Sequence, residues 1–217
     1  MDVREAIESR RAVKRFDPLH RLTEREVDEL LRLARLSPTA FNIQNWRFVL
    51  VRDPQRRARI REAAWNQAQM TDASLLVVIC ADLNAWDRDP ARYWRHVPER
   101  VTEAMVRTLK GFYGGNAPGQ RDEAMRSCGI AAMTLMLAAR ELGYDSCPMT
   151  GFDFDAVAGV INLPEDHVIG LIVTIGRAIE PAGPRGGTID EAEAVFEDYF
   201  DDPGPGTPDR TPDHGAG

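Results

Sequence analysis

The chain has 217 residues, 43% of them hydrophobic and 28% charged, the composition of an ordinary globular protein with enough length for one sizeable core. Its formal net charge of -7 argues against a nucleic-acid binder, whose affinity rests on clustered Lys and Arg. The longest apolar run, Leu75 to Ala81, falls far short of the ~20 residues of a membrane span, and the first residues lack a signal-peptide core. No membrane partner and a cytoplasmic location are therefore expected.

In chain order, residues 2–9 place Val3 and Ile7 four apart on one helix face and lead into an extended basic strip, Arg10-Arg11-Ala12-Val13-Lys14-Arg15, closed by Phe16. Thr23 and Glu26 form a capping box. Val27, Leu30, Leu31 and Ala34 follow at helical spacing until Pro38 forbids continuation. Trp46 to Val51 reads as a strand, a helix starts near Pro54, and Leu75 to Cys80 reads as a strand buried on both faces. Trp86 to Pro118 mixes aromatics, prolines, glycines and charges without a clean period and is read as a partly helical excursion.

A long helix follows from Gln120 to Leu142, stopped by Gly143. Its middle, Gly129 to Ala139, is apolar nearly all round, which calls for burial in a core or a dimer interface. Tyr144 to Pro148 suggests a short strand, Asp153 to Ile161 a short helix and Val168 to Ile175 a central strand. From Asp201 the composition turns to Asp, Pro, Gly and Thr, so residues 201–217 are expected to be a disordered tail behind a single domain of residues 1–200. The mixture is α+β without a strict βαβ rhythm.

Cys80, Cys128 and Cys147 are odd in number and lack Cys-x-x-Cys spacing, and the four histidines are scattered, so neither a disulfide framework nor a metal site is expected. The basic strip has the guanidinium forks that suit a phosphate, yet charge alone favours a solvated turn after a helix over a ligand site. The segment Ser37-Pro38-Thr39-Ala40-Phe41-Asn42-Ile43-Gln44-Asn45-Trp46 offers amides and a hydroxyl that either bind a cofactor or turn the chain.

In this order the two stretches resemble the nitroreductase family of FMN-dependent oxidoreductases. That family opens with an Arg-Arg-Ser-x-Arg/Lys-x-Phe strip and continues with Ala-Arg-x-Ser-Pro-Ser-x-x-Asn-x-Gln-Pro-Trp, matched here from Ala34 to Trp46. Asn66 ahead of Asp72-Ala73-Ser74, then Leu142-Gly143, Pro148 to Asp153, Gly176 and Pro184-Arg185 extend the likeness over residues 1–200. It implies a central, mostly antiparallel sheet flanked by helices in an intertwined homodimer with shared sites.

The resemblance assigns the flavin phosphate to Arg10, Arg11 and Arg185, and the flavin N1 and O2 edge to Lys14. It assigns the pyrimidine edge to Asn66 and the approach to N5 to the Gly151 N–H, flanked by Met149 and Thr150. Pro38, Thr39, Ala40 and Asn42 would come from the partner chain. Ala12 stands where the family has a hydroxyl, Gln69 where some members carry a second Lys, Thr150 where some have an acid, and Asn45 where Pro is usual; these departures bear on redox tuning. The excursion 86–118 corresponds to the pocket roof, making Trp94, Phe112 and Tyr113, with Phe41, candidates for stacking on substrate or for plain packing.

The implied reaction is a ping-pong exchange, in which NADH or NADPH delivers hydride to flavin N5 and a nitroaromatic, quinone or similar acceptor then receives it, with no obligatory catalytic side chain. A dedicated reductase of a small metabolite such as a semialdehyde, and a redox-silent FMN-binding protein, are alternative readings of the same residues. No dinucleotide fingerprint is present, so the sequence leaves the choice of nicotinamide open.

Overall fold

The computed structural model describes residues 1–200, and the expected tail at 201–217 lies outside them. The described chain falls into a unit spanning Met1–Gly183 and a second that begins at Pro184.

The first unit is built on one four-stranded sheet, β1 (Trp46–Leu50), β2 (Leu75–Asp82), β3 (Asp145–Met149) and β4 (His167–Gly176), in the order β1-β2-β4-β3 with every neighbouring pair antiparallel. The two strands expected to be most buried, β2 and β4, are the central pair. All eight residues of β2 are buried. Because successive side chains of a strand point to opposite faces, β2 feeds two cores. Leu76, Val78 and Cys80 join Val13, Phe16, Ile60, Met149, Phe152 and Val157 on one face. Leu75, Val77, Ile79 and Ala81 join Val27, Leu30, Cys128 and Leu135 on the other.

Seven helices dress this sheet: α1 (Val3–Ser9), α2 (Glu24–Ala34), α3 (Pro54–Ala63), α4 (Gln69–Asp72), α5 (Glu99–Tyr113), α6 (Ala117–Glu141) and α7 (Phe154–Ile161). The capping box forms as read, with the Thr23 hydroxyl accepting from Glu26 N–H and the Glu26 carboxylate accepting from Thr23 N–H at 2.7 Å. Gly143 ends α6 at φ +82°, a backbone that a side chain would strain. At Gly170, α6 approaches β4 so closely that a Cβ there would lie 2.4 Å from the Cys128 Cβ, and the β2–β4 register slips beside it between Ile79 and Cys80.

The excursion is partly helical as read, with α5 running fifteen residues and burying Leu109 and Tyr113. In helix α6 of one protomer, Ala131, Ala132 and Leu135 are buried while Gly129, Ile130 and Met133 face outward. Val3 and Ile7 of α1 are likewise exposed, and α1 packs on α6 through Arg140 Nε, which donates to Ser9 Oγ at 3.1 Å. No helix among the described residues is long and apolar enough to cross a membrane. The second unit carries one helical turn, α8 (Glu191–Ala194), and a Phe196–Phe200 ring contact with centroids 4.9 Å apart.

Candidate functional site

The basic strip is an extended segment sewn to the outer edge of the sheet. Ala12 bridges Ser146 of β3 in parallel, Val13 N–H donates to the Ser146 carbonyl at 3.0 Å, and Phe16 bridges Ala178 beyond β4. Val13 and Phe16 are buried, while Ala12, Lys14 and Arg15 face outward. Arg11 Nη2 donates to the Gly183 carbonyl at 2.5 Å. Burial pushes the Cys147 thiol up, while the Lys14 charge, a hydrogen bond with Gln69 and the Arg10 charge act against that shift.

From there a continuous polar seam leads to Gly151. Gln69, only 4% exposed at the start of α4, donates from Nε2 to Gln67 Oε1 at 3.4 Å, and Gln67 Nε2 donates to the Gly151 carbonyl at 2.9 Å. A Cβ on Gly151 would lie 3.1 Å from Cζ3 of Trp65, whose indole is 70% exposed. Trp65 and Asn66 both hold left-handed backbone at φ 52° and 60°, and Asn66 Oδ1 accepts from Arg61 Nε at 2.7 Å, leaving its NH2 to point elsewhere.

The amide-rich loop lies at another corner. Trp46, where it enters β1, is in register with Ala81 and so with Val168, whereas Ser146 beside the strip is in register with Ile175. Seven residues along β4 and three strand spacings across the sheet put these corners roughly 23 Å and roughly 14 Å apart in the two directions, about 27 Å in all. One small ligand cannot touch both within a single chain.

The loop itself is held by buried groups. Ser37 Oγ donates to Thr134 Oγ1 at 2.9 Å, Gln44 N–H to Thr39 Oγ1 at 2.9 Å and Ala40 N–H to Glu123 Oε1 at 3.2 Å. Phe41, Asn42 and Gln44 all take positive φ, which leaves Pro38, Ala40 and Asn42 exposed. Phe41 meets Phe112 and Tyr113 with centroids 5.9 and 6.1 Å apart.

The excursion closes over this loop, with Ile43, Tyr93, Leu109 and Tyr113 as a small core against Phe41, Trp86 and Trp94. Tyr113 is 1% exposed and belongs to that packing, so among the stacking candidates it is Phe112, 58% exposed, that faces outward. Burial pushes the Tyr113 phenol up to about 12. Asn45 Oδ1, Trp46 Nε1, Trp86 Nε1 and Tyr113 Oη are buried without a hydrogen-bond partner, a concentration of unsatisfied groups on the loop and its roof.

The sequence model of the nitroreductase family matches residues 7–177, a span that includes the strip, the amide loop and the Gly151 turn. The chain belongs to the nitroreductase family. Protein DrgA of Synechocystis is 56% identical over 182 residues, covering 84% of this chain and 87% of its own. YodC of Bacillus subtilis, which carries an NAD(P)H nitroreductase designation, is 31% identical over 182 residues, covering 82% and 90%. A nitroreductase-designated protein of Exiguobacterium sibiricum, solved in complex with FMN, superposes with a TM-score of 0.81 at 26% identity, covering 91% of this chain and 97% of that one. The sheet and its flanking helices are thus the nitroreductase fold.

Measured against the positions that family resemblance proposes, Arg10, Lys14 and Gln69 each act on the Cys147 thiol of β3, and Gln69 is joined through Gln67 to Gly151, with Met149 buried and Thr150 exposed beside it. Arg185 belongs to the second unit. Sequence reasoning missed Trp65, Gln67, Arg61 and Glu123. Only the tandem Trp65-Asn66 after a helix hinted at them, because their roles depend on contacts with distant residues. Elsewhere Asp82, Asp166 and His167 lie within 4.8 Å of one another, but Arg47 and Arg88 pair with the buried Asp82 at 3.0 and 2.9 Å, and Arg88 also pairs with Asp166. That cluster is a charge-compensated fastening for one end of the sheet.

Proposed function

We propose that two copies of this chain form an NAD(P)H-dependent FMN oxidoreductase, each site joining the cationic strip and Gly151 of one protomer to the amide loop of the other. The observation that carries the reading is the separation of the two motifs at opposite corners of one sheet, which makes a site spanning both possible only across two chains. The outward apolar residues of α1 and α6, Val3, Ile7, Ile130 and Met133, support the pairing because an isolated protomer would leave them in water. In this reading Arg10 and Arg11 hold the flavin phosphate.

The residues present fit FMN. Arginine forks suit a phosphate dianion, a neutral Gly151 without a side chain leaves room for a planar ring, and the NH2 of Asn66 is free of Arg61 to meet a ring carbonyl. When bound, FMN supplies hydride transfer through N5 from a nicotinamide to an acceptor such as a nitroaromatic or a quinone. The chain's own share is positional and electrostatic. Lys14 sets a fixed positive charge where reduction accumulates negative charge, Trp65 offers a flat face beside Gly151, and the other protomer's amide loop, together with the Phe112 that packs on that loop, excludes water.

The test is anaerobic addition of NADH or NADPH to the FMN-loaded protein, with mass measured by light scattering. Bleaching of the flavin band by a dimer is expected. Persistent colour, or a monomer that takes up no FMN, refutes the reading.

A further inference from the structure

Gly151 lies at the centre of a three-residue turn in which Phe152 N–H donates to the Thr150 carbonyl at 3.1 Å. The Thr150 carbonyl and the Gly151 N–H belong to one planar trans peptide and therefore point in opposite directions. With the carbonyl turned inward to Phe152, the Gly151 N–H is turned outward, and among the described residues no acceptor meets it. The next peptide plane is fixed separately, since the Gly151 carbonyl accepts from Gln67 Nε2 at 2.9 Å and Gln67 Oε1 accepts from the buried Gln69 Nε2 at 3.4 Å. Asp153 N–H then ties the segment to the Ala63 carbonyl of α3 at 2.9 Å.

We propose that Gln67 is a positioning residue whose carboxamide, itself oriented by Gln69, locks the Gly151 turn so that its N–H faces the hydride-accepting edge of the flavin; this rests on the flavin reading above. Only a carboxamide answers both demands made on residue 67, to donate to a carbonyl on one side and accept from an amide on the other. A three-residue turn alone holds its hydrogen bond in poor geometry, so without Gln67 the peptide rocks and the N–H loses its aim.

The experiment uses the full chain carrying Gln67→Met, which keeps the bulk and removes the donor, and Gln67→Glu, which keeps the acceptor for Gln69 and sets a carboxylate against the Gly151 carbonyl. FMN occupancy, the rate of flavin reduction at saturating nicotinamide, the apparent KM and amide exchange of Phe152 in the FMN-free chain are measured. Both variants are expected to keep occupancy and KM within about twofold and to lose about tenfold in reduction rate, the scale of a small misplacement at a reacting centre. Phe152 is expected to exchange several-fold faster. A purely packing role would lower occupancy and melting temperature while sparing the rate. Wild-type reduction rates in both variants overturn the proposal.

If the native protein is not reduced by either nicotinamide, the flavin-reductase reading fails instead, and unchanged Phe152 exchange then overturns the positioning role by itself. Should Gln67→Met not fold, Gln67→Glu carries the same comparison.

Discussion

Gly170→Ala probes the close approach of α6 to β4. The added Cβ would lie 2.4 Å from the Cys128 Cβ and 2.8 Å from its Sγ, against ordinary contact beyond 3.4 Å. The nearer atom is a Cβ fixed by the α6 backbone, so no rotamer relieves the clash and α6 must withdraw from β4 by about an ångström. Overpacking of this kind costs roughly 1–3 kcal/mol. The upper end applies because Cys128, Leu135 and Ile79 around it are fully buried.

Roughly 3 kcal/mol in a chain of this size lowers Tm by about 6–12 °C. Urea and thermal unfolding followed by circular dichroism measure it. Cys128→Gly in the Gly170→Ala background should recover most of the loss, less the ~1 kcal/mol that a helical Gly costs, giving a coupling energy well above additivity. A Gly170→Ala protein melting within 2 °C of wild type refutes the reasoning.

Gly151→Ala should do the opposite: its Cβ meets the exposed Trp65 ring at 3.1 Å and Gln67 Nε2 at an ordinary 3.8 Å, so stability changes by less than ~1 kcal/mol while FMN titration shows weakened binding. Arg10→Ala should weaken FMN about 10- to 150-fold, the value of a lost charge-assisted hydrogen bond of ~1.5–3 kcal/mol, with the fold intact by circular dichroism. Glu26 is held below its usual value of 4.5 by the Tyr144 hydroxyl first and then by Thr23, so its stabilisation is present above that value and disappears as pH falls through the lower folded value. A pH series of Tm for wild type and Glu26→Gln should therefore converge below about pH 4.5.

What was legible in the sequence was what depends on near neighbours or on periodicity. Thr23 and Glu26 declare a helix start within four residues, and Leu75 to Cys80 declares a strand covered on both faces because no polar residue interrupts it. The cationic strip and the amide loop were legible as an ordered pair, but their placement at opposite corners follows from strand order, which pairs β2 with β4 across some ninety residues of chain. Helix α5 was obscured because Arg, Glu and Thr occupy most of its turns and only Leu109 and Tyr113 are buried. Tyr113 and Phe112 are adjacent aromatics with opposite fates, a difference set by the Phe41 and Trp86 rings and invisible in composition.

The backbone adds an argument that composition lacks. Phe41-Asn42 in the loop and Trp65-Asn66 beside Gly151 are both aromatic–Asn pairs in left-handed conformation, which costs a bulky residue roughly 1–2 kcal/mol. For Trp65 burial does not offset that cost, since the residue remains 70% exposed, and in the flavin reading a ring stacked on the indole supplies the compensation. Trp65→Gly should accordingly leave the FMN-free fold within about 1 kcal/mol of wild type, because glycine relieves the strain and loses little packing. A buried aromatic removed from a core would cost ~3–5 kcal/mol. In the loaded enzyme the same change should raise the acceptor KM about 2- to 12-fold, the loss expected for one stacking face of ~0.5–1.5 kcal/mol. A Tm lowered by more than 10 °C would show that the indole serves the fold, and an unchanged KM would show that nothing stacks there.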